Sequence, residues 1–243
     1  MMDLPGVLPL LLIALYLADS MHFLGPGEAL VVVRARRLRA VSLGGRMEFG
    51  GRRPYLPNPL TPFWPELRLH WEPSAAAGQN PQLVASEMQR LLHALRHIAR
   101  LCAVSAVLVA VIAPGALLLG RSDLFVAAVG AGFTVTTANC VLVARARGEL
   151  GLTGWQACSM SVVALLCLPC GVNLARAAAL QRRWRVAASD LPLLAPPHTR
   201  SSIRRDLRSV LETARSGSEE DSVQYRLIGE QLQLLRGTDD EPR

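Results

Sequence analysis

The residues able to do chemistry are few. Five cysteines stand at Cys102, Cys140, Cys158, Cys167 and Cys170. Apart from one pair, they could serve as small apolar residues of membrane helices, a common use of free cysteine. The pair Cys167-Leu-Pro-Cys170 stands apart, because two cysteines three positions apart can close a small disulfide, and such motifs favour a reactive first thiol. Soft thiolates also suit Cu(I) or Zn, but no third ligand has motif spacing, so no metal and no cofactor is expected. Two histidine pairings have helical spacing: His93 with His97, and Asp19 with His22. The first reads His-Ala-Leu-Arg-His and lacks the glutamate of a zinc-peptidase helix, so both read as interfacial side chains. Glycine-rich phosphate loops, nucleophile elbows and paired carboxylates are absent from the sequence.

The Cys167-Leu-Pro-Cys170 motif resembles those of membrane-embedded thiol oxidoreductases: the quinone-coupled four-helix enzymes that make disulfides, and their vitamin-K-epoxide-reductase relatives. The resemblance covers these four residues and a count of apolar segments. It implies Cys167 and Cys170 as catalytic residues of a thiol-disulfide enzyme. Those families carry a second, loop-borne cysteine pair, whereas Cys102, Cys140 and Cys158 all lie in or beside apolar segments.

Composition defines what must hold such residues. Of 243 residues, 51% are hydrophobic and only 19% charged, and the mean hydropathy is +0.27. With aromatics at 5%, the apolar content is Leu, Val and Ala, the material of lipid-facing helices. Disordered, collagen-like and disulfide-stapled classes are excluded. All 26 basic residues are arginine and the net charge is +7. No run of five or six basic residues occurs, so no nucleic-acid arm is indicated. A lysine-free chain rich in Arg, Ala, Gly and Pro is what a GC-rich genome writes.

Four apolar segments stand out: Leu4 to Leu17 (extending to Leu24), Leu101 to Gly120, Leu124 to Ala144, and Ala157 to Ala175. A span needs roughly 20 residues. The first segment reads as a retained anchor, since its start lacks a basic n-region. Pro114-Gly115 predicts a kink in the second, and Arg121-Ser122-Asp123 predicts a tight turn before the third. Gly130, Thr134 and Asn139 in the third, and Asn173 in the fourth, have the size and polarity for helix packing. The three stronger spans contain no charge, which argues against an ion-coupled transporter. A channel lined by Thr134, Thr137 and Asn139 would need oligomers.

Arginines crowd the margins. Arg100, Arg145, Arg176, Arg182, Arg183, Trp184 and Arg185 are expected at the membrane interface. The charge rule sets Arg34, Arg36, Arg37, Arg39, Arg90, Arg96, Arg100, Arg145 and Arg147 on one side, against Arg121, Arg176, Arg182, Arg183 and Arg185. That places residues 25–100 in the cytoplasm. Three crossings after them would leave the basic tail outside, against the same rule; a fourth segment broken at Pro169 to Gly171 and re-entering would put both regions inside.

Outside the membrane, Glu28 to Arg36, Leu38 to Leu43 and Arg46 to Phe49 suggest a two- or three-stranded hairpin unit with glycine turns. Arg52 to Pro73 carries so many prolines that an extended strap is expected, not a central strand. Its aromatics could pack on the hairpin, sit at headgroup level, or form a partner groove. Val84, Met88, Leu91, Leu95 and Ile98 form one stripe of an amphipathic helix over 82–98. In the tail, Ile203, Leu207, Val210, Leu211 and Ala214 form a second stripe, and Val223, Leu227, Ile228, Gln231 and Leu234 a third.

The expected fold is thus mainly α: a multi-span helical membrane protein with about four apolar segments, a small β-hairpin and Pro-rich extramembrane domain, and an amphipathic helical tail. The expected divisions are an anchor over 1–24, the small domain over 25–80, the juxtamembrane helix over 81–100, a three-segment bundle over 101–180 and the linker and tail over 181–243. The expected function is non-catalytic interaction or assembly in a bacterial inner membrane. Its partners would be the bilayer and another protein or a second copy, met through helices 82–98 and 201–236, with no nucleic acid. A thiol-disulfide oxidoreductase is the alternative.

Overall fold

The computed structural model describes residues 14–25, 27–34, 37–44, 49–71, 81–194 and 200–237. The protein is mainly helical with a small sheet, and it divides into two compact units. A helical unit comprises residues 1–21, 56–65 and 91–182; a sheet unit comprises 22–55, 66–90 and 183–243.

The helical unit opens with α1, described over residues 14–20. Its backbone is α2 (Pro81–Val107), which lends its later turns to this unit, followed by a π-helical turn (Leu108–Ile112) and α3 (Ala113–Leu118). These run as one helix from Gln82 to Leu118. Pro114 cannot donate to a carbonyl one turn earlier, and the wider π turn just before it absorbs the missing bond, so the helix continues past the proline. Gly120, at φ 66°, ends it, and α4 (Ser122–Leu150) returns. At 29 residues, α4 is roughly 43 Å long at 1.5 Å per residue. Gly151 closes it in the left-handed conformation, its N–H bonded to Arg147 O and Gly148 O.

Two helices are therefore long and apolar enough to cross a membrane, Gln82–Leu118 and Ser122–Leu150. The expectation of about four spanning segments is corrected at the last one. Ala157 to Ala175 is not a continuous helix but three pieces: α5 (Gly154–Leu166), α6 (Leu168–Gly171) and α7 (Leu174–Gln181). Thr153 and Gln156 form a reciprocal capping box that starts α5. Cys167 is extended (φ −133°, ψ 93°) and ends it. Pro169, without an N–H, cannot extend the ladder of α5 but suits the first turn of α6. The segment folds back on itself: Gln156 Nε2, near the start of α5, donates to Gln181 Oε1 at the end of α7 (3.4 Å). The first apolar segment is described only over its last residues, and its earlier part lies outside the described residues.

The sheet unit holds a four-stranded sheet of order β3-β2-β5-β6: β2 (Glu28–Arg34), β3 (Arg37–Ser42), β5 (Glu66–Trp71) and β6 (Arg183–Val186). A separate ribbon pairs β1 (His22–Leu24) with β4 (Arg53–Tyr55). The β2–β3 hairpin is the expected one, with a bulge at Val32/Val33. The third expected strand, Arg46 to Phe49, falls mostly outside the described residues; Phe49 bridges Arg52. The strap is corrected in part. Its last residues form β5, a central strand, because the six residues Glu66–Trp71 lie between Pro65 and Pro73 and can donate freely to both neighbours. β5 pairs antiparallel with β2 and parallel with β6, with Leu69 opposite Trp184.

Period-2 alternation explains which residues the sheet buries. Ala29, Val31, Leu67, Leu69, Trp71, Trp184 and Val186 share one face and are all buried. In the tail, α8 (Arg200–Ser216) and α9 (Val223–Gly237) pack on each other, and α8 also packs on β3. Ile203, Leu207 and Leu211 of the predicted stripe are buried, as are Ile228, Leu232 and Leu235. Arg215 stacks 4.5 Å over the Tyr225 ring.

Candidate functional site

The back-folded segment places its tip, Cys167 to Asn173, against α4. Gly171 is required there: a Cβ on it would come within 2.9 Å of Thr136 Cγ2 and 3.2 Å of Ala164 O. Cys102 Sγ donates to Gly171 O at 3.7 Å, so α2 holds the same tip. Asn139 reaches Cys102 Sγ at 3.5 Å; with its amide turned over it instead spans Ile98 O and Cys102 N, each at 3.3 Å. Either orientation ties α4 to α2 through a fully buried amide.

At the tip itself the sulfurs of Cys167 and Cys170 lie 2.6 Å apart. Cys170 is buried, while Cys167 is partly exposed at the helix break. Asn173, 3% exposed, holds the end of α1: its Nδ2 donates to Ser20 Oγ (2.6 Å) and Asp19 Oδ2 (3.4 Å).

One turn later, Arg176 is 1% exposed and donates through Nη2 to Asn58 O (3.2 Å) and Thr61 O (2.7 Å). Tyr16 Oη donates to Pro59 O (2.9 Å). The composition of this loop explains the arrangement. Pro57, Pro59 and Pro62 have carbonyls but no N–H groups, so the loop has surplus acceptors, which guanidinium and phenol donors satisfy. Asn58 shapes it, with Oδ1 accepting from Leu60 N at 2.9 Å.

The other expected site residues divide clearly. Thr134 and Gly130 face outward, and Thr134 Oγ1 bonds the Gly130 carbonyl of its own helix at 3.0 Å. The inward threonine of that polar stretch is Thr136, fully buried. Arg100 and Arg145 are exposed on α2 and α4, and Arg183 and Arg185 are exposed on β6. Arg182 is half-buried, and Trp184 is buried within the sheet. His93 and His97 are exposed on α2; Asp19 and His22 lie on different elements. Among the described residues no three His, Cys, Asp or Glu gather to hold a metal.

In the sheet unit, burial pushes the Glu28 carboxyl up, but hydrogen bonds from Arg68 and from the Gly25 N–H outweigh it and hold it below its usual range.

No family model matches the chain, and neither does any curated protein or solved structure.

Proposed function

We propose that this chain is an integral membrane protein of a bacterial inner membrane that holds its sheet unit at the cytoplasmic surface, where it engages other proteins or a second copy. The observation that carries the topology is the parallel pairing of β5 with β6. One strand precedes the long hydrophobic hairpin and the other follows the whole apolar region, yet they share a sheet, and no sheet can be shared across a bilayer. The number of crossings between them is therefore even. Helices Gln82–Leu118 and Ser122–Leu150 supply two, and α5 to α7 enter and return on one side.

This arrangement reconciles the arginines. Of the positions counted above, only Arg121 lies at the far turn, where it pairs with Asp123 (3.1 Å); all the others fall on the side of the sheet, which the positive-inside rule makes cytoplasmic. Outward-facing apolar side chains support the lipid contact: Val111 is 64%, Leu118 89%, Val126 67% and Leu166 84% exposed, which water would oppose and acyl chains would not.

What the sheet unit presents supports a partner-binding role. Its apolar stripes are used internally, leaving polar outer faces on α8 and α9 and the arginine-studded edge strand β6. Cross-linking in intact membranes tests this. Charge reversal at two exposed positions, Arg205→Glu and Arg226→Glu, should abolish cross-linked species while leaving membrane integration unchanged. Identical cross-linked species in the variant, or none in the wild type, would refute the role.

A further inference from the structure

We infer that the turn joining α4 to α5, together with the outer face of α5, binds a phospholipid with an anionic headgroup. The inference rests on the membrane reading above and goes beyond it by naming a ligand and the residues that hold it.

Two glycines bring the cations together. A Cβ on Gly151 would lie 3.6 Å from Arg182 Cδ, so the Arg182 side chain passes over the turn. Gly154 opens α5, and a Cβ there would lie 3.4 Å from Arg147 Nη1, so the Arg147 guanidinium rests against bare backbone. The bond from Gln156 Nε2 to Gln181 Oε1 keeps the end of α7, and with it Arg182, level with the start of α5. Between Arg145 and Arg182 the chain carries four arginines and a single acid, the exposed Glu149. Among the described residues no carboxylate pairs with Arg147. The depth is that of headgroups: from Arg121 to Arg147 the chain rises roughly 39 Å at 1.5 Å per residue, close to the ~40–45 Å thickness of a bilayer with its polar layers.

An apolar track leads from these cations into the lipid. Trp155, Cys158, Val162 and Leu166 recur at spacings of three and four on one face of α5, and all are exposed. Trp155, directly after Gly154, is 79% exposed. At 13 residues, α5 is roughly 20 Å long, about the depth of one leaflet with its headgroups. Cations above an apolar track fit an amphiphile with an anionic head. Its phosphate oxygens accept from Arg147 and Arg182, an acyl chain lies along α5, and the Trp155 ring sits at the boundary between them. A free phosphate would leave the track unused, and a zwitterionic lipid would bring its own cation to two guanidiniums.

The experiment reconstitutes the full chain in mixed bilayers of phosphatidylcholine and phosphatidylglycerol, with bromine on the acyl chains of one lipid or the other, and reads tryptophan quenching. The Trp155 signal is the difference between the wild type and Trp155→Phe. Brominated phosphatidylglycerol should quench it at about fivefold lower mole fraction than brominated phosphatidylcholine, the gain expected of one arginine at an anionic headgroup. Arg147→Gln should level the two lipids, whereas Arg145→Gln, which removes the same charge from another side of α4, should keep the preference. Equal quenching by both lipids in the wild type overturns the site but leaves the membrane reading standing, and needs no variant to fold. Quenching by neither lipid overturns both. The site is also overturned if Arg145→Gln loses the preference as fully as Arg147→Gln, which would mean diffuse charge, or if glycerol 3-phosphate in the buffer abolishes it, which would make a free anion the ligand.

Discussion

The two units solve the problem of apolar surface in opposite ways. In the sheet unit, apolar residues turn inward: Leu67, Leu69 and Trp71 of β5, Trp184 of β6, and Leu207 and Leu211 of α8 are all buried. In the helical unit, the inward positions over the first two-thirds of α4 are small or polar (Ala128, Gly132, Thr136, Asn139 and Cys140), with Val143 and Leu150 buried nearer its end, while Val126 and Phe133 face out. A water-soluble helix has the reverse pattern. A bilayer removes the penalty for outward apolar groups, and close approach through small residues and amides is then what holds helices together. On the proposed membrane reading, the same residue type stabilises one unit by burial in protein and the other by contact with lipid.

Substitutions can break this contrast. The largest effect is expected at Leu207→Ala, where a fully buried side chain leaves a cavity; about 2–5 kcal/mol should be lost, read as faster proteolysis of the tail in otherwise intact membranes. Val126→Asp comes next. On a water-facing helix so exposed a position would tolerate the change, but in lipid it should cost about 3 kcal/mol, read as a fall in the membrane-inserted fraction. Unchanged insertion would mean that α4 does not face acyl chains.

Gly171→Ala should cost about 1–3 kcal/mol by overpacking the tip against Thr136 and Ala164, measured as lower thermal stability in detergent. Thr134→Ala should change stability by less than about 0.5 kcal/mol, because its hydroxyl faces outward and bonds only its own helix.

The smallest effect concerns pH in the sheet unit. The folded Glu28 carboxyl lies below its ordinary 4.5, so its contribution is present above that pH and fades as pH falls through the lower, folded value. Glu28→Gln should flatten the acid limb of the unfolding curve in this region, a change visible by circular dichroism.

Much of this was legible from the sequence because it is periodic. The stripe Val84, Met88, Leu91, Leu95 and Ile98 is buried at every member, and the hairpin of β2 and β3 follows from β-branched runs between glycine turns. The third stripe held less well. Ile228 and Gln231 are buried, but Val223 is exposed and Leu232 and Leu235 take the inner positions, because the Leu- and Gln-rich helix offers two nearly equivalent faces.

What periodicity does not encode is pairing at long range. Arg183-Trp-Arg-Val186 alternates as a strand must, yet four residues beside an apolar segment read equally well as an arginine and tryptophan cluster at a membrane edge. Only its partner, β5, decides, and nothing local announces that partner. The tip is similar. The spacing of Cys167 and Cys170 predicts that they can meet, but the approach of Asp19 and Ser20 to Asn173 joins residues from opposite ends of the chain. Arg176, expected at the interface, is instead buried because the proline loop needs donors.

The central claim is that the chain crosses the membrane an even number of times between β5 and β6. It is tested by single cysteines in an otherwise cysteine-free full chain, at Leu60→Cys, Ser122→Cys and Ser216→Cys, probed with a membrane-impermeant maleimide in intact and opened cells. The account predicts that only position 122 is labelled from outside, and that 60 and 216 react only after opening. Labelling of 216 from outside while 60 stays protected would contradict it, since β5 and β6 would then lie on opposite sides of the bilayer.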